Sequence, residues 1–174
     1  ADATELLLEA GKKLDIHFDG YPFDYSMVPI YTLFPQWAQT GSMELMNLLI
    51  NDPTHEAEVR RTMPEIKGEE VVIARALGFD FLVGKPLKEY AQNQELKLID
   101  ALIKLMQVTK LRAVLFNKNI NLPETLKALM TEQSLIASNS PSLLEGKNVL
   151  VNERAIKTFS KFLELTKDDS SKTL

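Results

Sequence analysis

The 174-residue chain contains no cysteine. Disulfides, thiolate nucleophiles and cysteine-ligated zinc are therefore excluded. Histidine is nearly as scarce: His17 and His55 are the whole complement. They lie far apart, without the H-x-H or i, i+4 spacing that converges imidazoles on a metal. Catalytic zinc needs about three protein ligands and an open position for water, so the chain by itself is expected to bind none. Basic clusters are also missing. Lysine and arginine number 20 against 24 acidic residues, for a net charge of −4, which argues against nucleic-acid binding. No apolar run approaches the length of a membrane span, and no secretory signal is visible. There is no glycine-rich phosphate loop and no nucleophile elbow, and no internal repeat or low-complexity segment. These absences fit a cytoplasmic protein. The first residue is Ala1 rather than methionine, and a helical pattern begins at once, so an excised or processed piece is expected.

What is present suits a folded core, with hydrophobic residues making up 45% of the chain. The most informative stretch is 13–25, KLDIHFDGYPFDY. Leu14, Ile16 and Phe18 alternate with Asp15, His17 and Asp19, the period of a strand. Gly20 and Pro22 then end it, because proline cannot donate to a ladder. An apolar strand ending in carboxylate, glycine, tyrosine and proline has the character of an α/β barrel rim, where such folds keep their chemistry. Asp19, Tyr21 and Asp24 cluster there. Paired carboxylates can perform acid–base work when their environments differ, but aspartates at a turn also serve simply to form it.

Upstream, Asp2 and Glu5 have capping-pair spacing before an apolar Leu6-Leu7-Leu8 helix. Residues 26–40 show no clean period and read as a long loop, either a hydrophobic plug or one wall of a pocket. Ser42 suits a helix cap, and Asp52-Pro53 places a cap beside a proline at the first helical position. Glu56 and Arg60 form an i, i+4 pair on a solvated face. Residues 71–76 (VVIARA) and 79–83 (FDFLV) read as strands, with Leu77-Gly78 turning a hairpin. A short helix follows over 87–92, and Leu96, Ile99, Ile103 and Met106 mark one face of a longer one. LRAVLF at 111–116 is a strand. Asn121, Pro123 and Glu124 start a further helix, and a short strand over 134–137 ends in Ser138-Asn139-Ser140-Pro141. The last helix carries Ile156, Phe159 and Leu163 on one face, and 167–174 is a polar tail.

Several of these stretches, in collinear order, resemble one family. FDGYPFDYS is similar to the D-x-YPY-T segment of N-acyl-D-amino-acid deacylases, which belong to the metal-dependent amidohydrolase superfamily. LFPQWAQTGSMELMNLLINDPTHEAEVRR resembles that family's LLPPWA-x-x-G loop and following helix. GKPLKEYA with LIDALIKLM resembles G-K-S-L-x-E-x-A with P-x-D-A-L-x-D-L-L. LRAVLF, the next helix and SLIASNS resemble V-x-A-V-x-F, a helix and V-M-I-G-S-D-G. NERAIKTFSKFL resembles H-P-R-x-x-G-T-F-P-R-F-L.

The resemblance implies an α/β chain that forms the C-terminal segment of a TIM-type (β/α) barrel with an inserted small α+β subdomain. On that reading 1–66 supply a late barrel helix, strand and pocket loop, 67–133 the insertion, and 134–174 the last barrel strand and C-terminal helix. Neighbouring strands at 14–18 and 135–137 are expected, with open edges through which copies can associate. The implied parent activity is hydrolysis of an N-acyl amino acid by zinc-activated water, with the metal-binding histidines upstream of the matching region. Two departures follow. Asn139 stands where the family has its catalytic aspartate, and an amide cannot take up a proton as a carboxylate can. Asn152-Glu153-Arg154 replaces H-P-R, but Arg154 remains to pair with a substrate carboxylate. Tyr21 matches the family's pocket-rim tyrosine. The rival reading is an inactive paralogue that kept a binding or scaffolding role.

Overall fold

The computed structural model describes residues 3–39, 41–140 and 150–167. The Asp2 cap, the loop from Pro141 to Gly146 and the tail beyond 167 fall outside them. Two compact units emerge. The first comprises Ala1–Asp24, Ile120–Leu144 and Val151–Leu174; the second comprises Tyr25–Asn119 and Glu145–Leu150. The second is thus spliced into the first between consecutive α/β elements. The 66/67 division expected from sequence falls inside the second unit, because a strand before it and a strand after it share one sheet.

The first unit runs α1 (Ala3–Gly11), β1 (Phe18–Gly20), α6 (Leu122–Leu129), β5 (Ser134–Ile136) and α7 (Arg154–Thr166). Strands β1 and β5 pair in parallel, with Phe18 opposite Ser134, Asp19 opposite Leu135 and Gly20 opposite Ile136. The Ala137 amide continues the ladder by donating to the Gly20 carbonyl at 2.9 Å. The expected neighbours are therefore adjacent, but β1 starts four residues later than its alternation suggests. A strand exists only where another backbone meets it. Residues 14–16 instead close a tight turn, with the Ile16 amide donating to the Leu14 carbonyl at 2.9 Å, and Leu14 is exposed. Among the described residues the expected barrel amounts to this one parallel pair. Its helix-facing side is closely packed: a Cβ on Gly20 would come within 2.9 Å of Leu129 Cδ2. Asp19 and Leu135, register partners, both lie exposed. Asn121 caps α6 as its sequence suggests, its side chain accepting from the Glu124 amide, with proline in the first turn.

The second unit is built on an antiparallel sheet in the order β2 (Ser26–Pro29), β4 (Val114–Asn117), β3 (Val71–Arg75). Helices α2 (Met43–Asn51), α3 (Pro53–Thr62), α4 (Leu87–Asn93) and α5 (Leu98–Val108) accompany it. Three expectations need correction here. The stretch 26–40 is not a structureless loop. It supplies edge strand β2, where Pro29 is tolerated, then 3-10 turns at Ile30–Leu33 and Gln36–Gln39. Ile30, Leu33, Phe34 and Ala38 are core residues, so it packs as a plug. Residues 79–83 form no strand: Asp80–Leu82 is a 3-10 turn and Phe81 is exposed. The free edge of β3 is met instead by Gly84 and Lys85, which exchange backbone hydrogen bonds with Ile73 at 2.8 and 3.0 Å. Gly84 makes that approach at φ +86°, which a glycine adopts freely. Finally, 111–116 yields a strand only from Val114.

The helix starts read from sequence hold. Ser42 accepts from the Leu45 amide, and Asp52 accepts from the Thr54 and His55 amides before Pro53. Arg60 pairs with Glu56 and also with Asp100. Ile103 and Met106 are buried with Leu102 and Leu105, a wider apolar face than four residues suggest. The large apolar core lies wholly within residues 30–115 of this unit.

Candidate functional site at the ends of the parallel strands

The candidate site lies in the first unit, just beyond the carboxyl ends of β1 and β5. After Gly20 the chain turns sharply through Tyr21-Pro22-Phe23, the Phe23 amide donating to the Tyr21 carbonyl at 3.0 Å. This turn leaves Tyr21 half-buried and Phe23 fully buried. After β5, Asn139 sits at φ +42°, a left-handed conformation that asparagine tolerates better than most residues. Arg154 opens α7.

Arg154 ties these three segments together. Its guanidinium carbon lies 3.9 Å from the centre of the Tyr21 ring, a cation–π stack. Its Nη2 donates to the Asn139 backbone carbonyl at 2.8 Å. Its own amide donates to Asn152 Oδ1 at 3.1 Å, and its carbonyl accepts from Thr158 Oγ1 at 2.7 Å. Only 5% of the residue is exposed. Yet its Nε has no hydrogen-bond partner, and no carboxylate pairs with the guanidinium among the described residues. A buried cation with an open donor is costly unless something anionic meets it. Two turns further along α7, Lys161 Nζ stands 4.3 Å from the Phe23 ring centre. Helix α7 thus lays two cations against the two aromatics of the rim turn.

The structure therefore brings together Tyr21, Asn139 and Arg154, the three residues singled out from separate stretches of sequence. At Asn139 the backbone carbonyl, not the side chain, makes the recorded contact. Phe23 and Lys161 were not foreseen from sequence, and Asn152 was noted only as standing at the family's histidine position, not as the acceptor for the Arg154 amide. Asn152 had a readable signal, a capping side chain two residues before Arg154 at a helix start. Phe23 and Lys161 are 138 positions apart and had none.

The remaining candidates do not join this cluster. His17 is not a strand residue: it lies just before β1, its Nε2 3.2 Å from Asp15 Oδ1. His55 Nδ1 lies 3.0 Å from Asp52 Oδ1 at the start of α3. The His55 amide and imidazole hold the Asp52 carboxyl below its ordinary range, so this pair completes a helix cap. Asp19 faces an open cleft of about 640 Å³ beside α1 and α6, whose lining contains none of Tyr21, Asn139 and Arg154. Asp24 contributes its backbone carbonyl to the Ile120 amide at 3.1 Å. Among the described residues no three histidine, aspartate or glutamate side chains are placed to hold a metal ion, so they do not fit the zinc that the family resemblance implies.

No family model matches the chain, and no curated protein sequence matches it. Among solved structures it is similar to N-acyl-D-glutamate deacylase from Bordetella bronchiseptica, crystallised with zinc and a phosphonate inhibitor that mimics the tetrahedral intermediate of the reaction. The TM-score is 0.49 at 12% sequence identity, over 78% of this chain and 21% of that one. The chain thus spans about a fifth of that protein's length.

Proposed function

We propose that this chain is a barrel-forming segment of an amidohydrolase resembling the N-acyl-D-amino-acid deacylases, and that its share of the work is to hold the carboxylate of an N-acyl amino acid at Arg154. One observation carries the reading. Three residues nominated by separate motif matches, Tyr21 lying more than a hundred positions before Asn139 and Arg154, meet at the carboxyl ends of two parallel strands. Carboxyl ends of parallel strands are where α/β folds bind ligands.

In this reading Tyr21 holds the guanidinium plane from one face, and the Asn139 carbonyl fixes one of its nitrogens. The unpartnered Nε is left to donate to the carboxylate, a charge-assisted interaction worth roughly 1.5–3 kcal/mol. Asn139 can orient a polar group but cannot accept a proton at neutral pH, so the chain supplies no general base at that position. The described residues supply no metal ligand set either, and no step through zinc is assigned to them. A binding or scaffolding paralogue that kept the pocket wall and lost the chemistry is the second reading, and Asn139 favours it.

Titration calorimetry with a panel of N-acyl-D-amino acids tests the carboxylate anchor. Saturable binding is expected, weakened about 10–100-fold when the ligand's carboxylate is replaced by a carboxamide. Arg154→Met should show the same loss with the carboxylate ligand and no further loss with the carboxamide. Equal affinity for acid and amide would remove Arg154 from the site. Hydrolysis of the same panel by this chain, with zinc supplied, should read at background. Turnover would overturn the assignment of Asn139 to the catalytic position.

A further inference from the structure

Helix α7 presents the wrong face to solvent. Arg154, Thr158 and Phe162, each four residues from the next, are buried. The hydrophobic stripe expected to dock the helix is outside: Ile156 is 59% exposed, Phe159 64% and Leu163 46%. Their spacing of three then four is the seam of a helix pair. A surface helix that buries Arg154 and Thr158 beside a single aromatic and exposes its apolar row marks an interaction face.

The charges beside the seam say what covers it. Glu153, Ser160 and Lys167 recur at seven-residue intervals along one flank. In an antiparallel pairing of two α7 helices about Phe159, equivalent flanks face each other. Ile156 then lies beside Leu163 of the second copy, Phe159 beside its symmetry mate, and Glu153 beside Lys167 of the second copy. Glu153 already holds Lys157 at 2.9 Å on its own helix and would bridge to both lysines. A parallel pairing sets Lys167 against Phe162 and gains no opposite charge. We infer that this face binds a second copy of the chain through an antiparallel two-fold contact between α7 helices. The inference is independent of the enzymatic reading. It also differs from association through the open edges of β1 and β5, which uses no α7 residue. A single helix pair falls below the roughly 1,000 Å² of a stable interface, so the dimer is weak and depends on concentration.

Sedimentation velocity of the full chain from about 5 μM to 1 mM should show a monomer–dimer equilibrium, with a dissociation constant on the order of 10⁻⁴ M. Phe159→Asp should weaken it at least about tenfold. Glu153→Lys or Lys167→Glu should weaken it by a smaller factor, and the double swap should restore it. Both positions are exposed, so these variants leave the fold intact. Circular dichroism checks that Phe159→Asp folds. A chain that stays monomeric at 1 mM would overturn the inference. So would a dimer indifferent to Phe159→Asp, which places the contact at the strand edges or elsewhere, or a charge swap that fails to restore association.

Discussion

Phe23→Ala should destabilise the first unit by about 3–5 kcal/mol, the range for emptying a buried aromatic site. The effect is large because this unit has little else inside. Its buried apolar side chains among the described residues are Pro22, Phe23, Leu129 and Phe162, accompanied by the polar Ser134, Asn152, Arg154 and Thr158. The substitution also removes the ring under Lys161 and loosens the turn that presents Tyr21. A chain of two units need not unfold in one transition, so residue-resolved hydrogen exchange is the proper readout. Amides of β1, β5 and α7 should lose protection while β3 and β4 keep theirs. Unchanged protection across the β1–β5 pair would show that Phe23 does not hold the rim.

Leu115→Ala should cost the second unit about 2–5 kcal/mol. Leu115 is fully buried on the central strand, opposite Val28 on one side and Ile73 on the other. A cavity there is bordered on both sides by ladders that cannot close over it. Here the loss of protection should centre on β2, β3 and β4 and leave the β1–β5 amides as they were. A loss under about 1 kcal/mol would mean that the site relaxes, and that the sheet is less tightly packed than its burial indicates.

Local chemistry was legible in the sequence, and pairing was not. Ser42, Asp52-Pro53 and Asn121 each announce a helix start, because a cap needs only a side chain and amides two or three residues on. The β1 alternation begins at Leu14, four residues early, since the ladder begins only where β5 begins at Ser134, more than a hundred residues away in sequence. FDFLV at 79–83 alternates as well as any strand, yet Gly84 and Lys85 reach β3 first. The apolar stripe of α7 was legible as one face, and its exposure was not: periodicity locates a face without saying what covers it. At the site, Asn139 and Arg154 came from resemblance to a family, and Tyr21 from both the resemblance and its place at the strand end. Reading the residues physically had placed Asp19, Tyr21 and Asp24 at the rim, and of these it is Tyr21 whose side chain stacks on Arg154. The stack of α7 on the YPF turn joins positions that no window of sequence contains together.

Arg154 is central as a buried, ring-stacked cation whose Nε has no partner. The Nε–H resonance of Arg154, observed by NMR in arginine-labelled protein, reports this directly. It should exchange slowly with water, lie upfield through the Tyr21 ring, and move back in Tyr21→Leu. Addition of an N-acyl-D-amino acid should shift it, and the corresponding carboxamide should not. A rapidly exchanging resonance, indifferent to Tyr21→Leu and to the ligand, would contradict both the geometry and the function proposed for it.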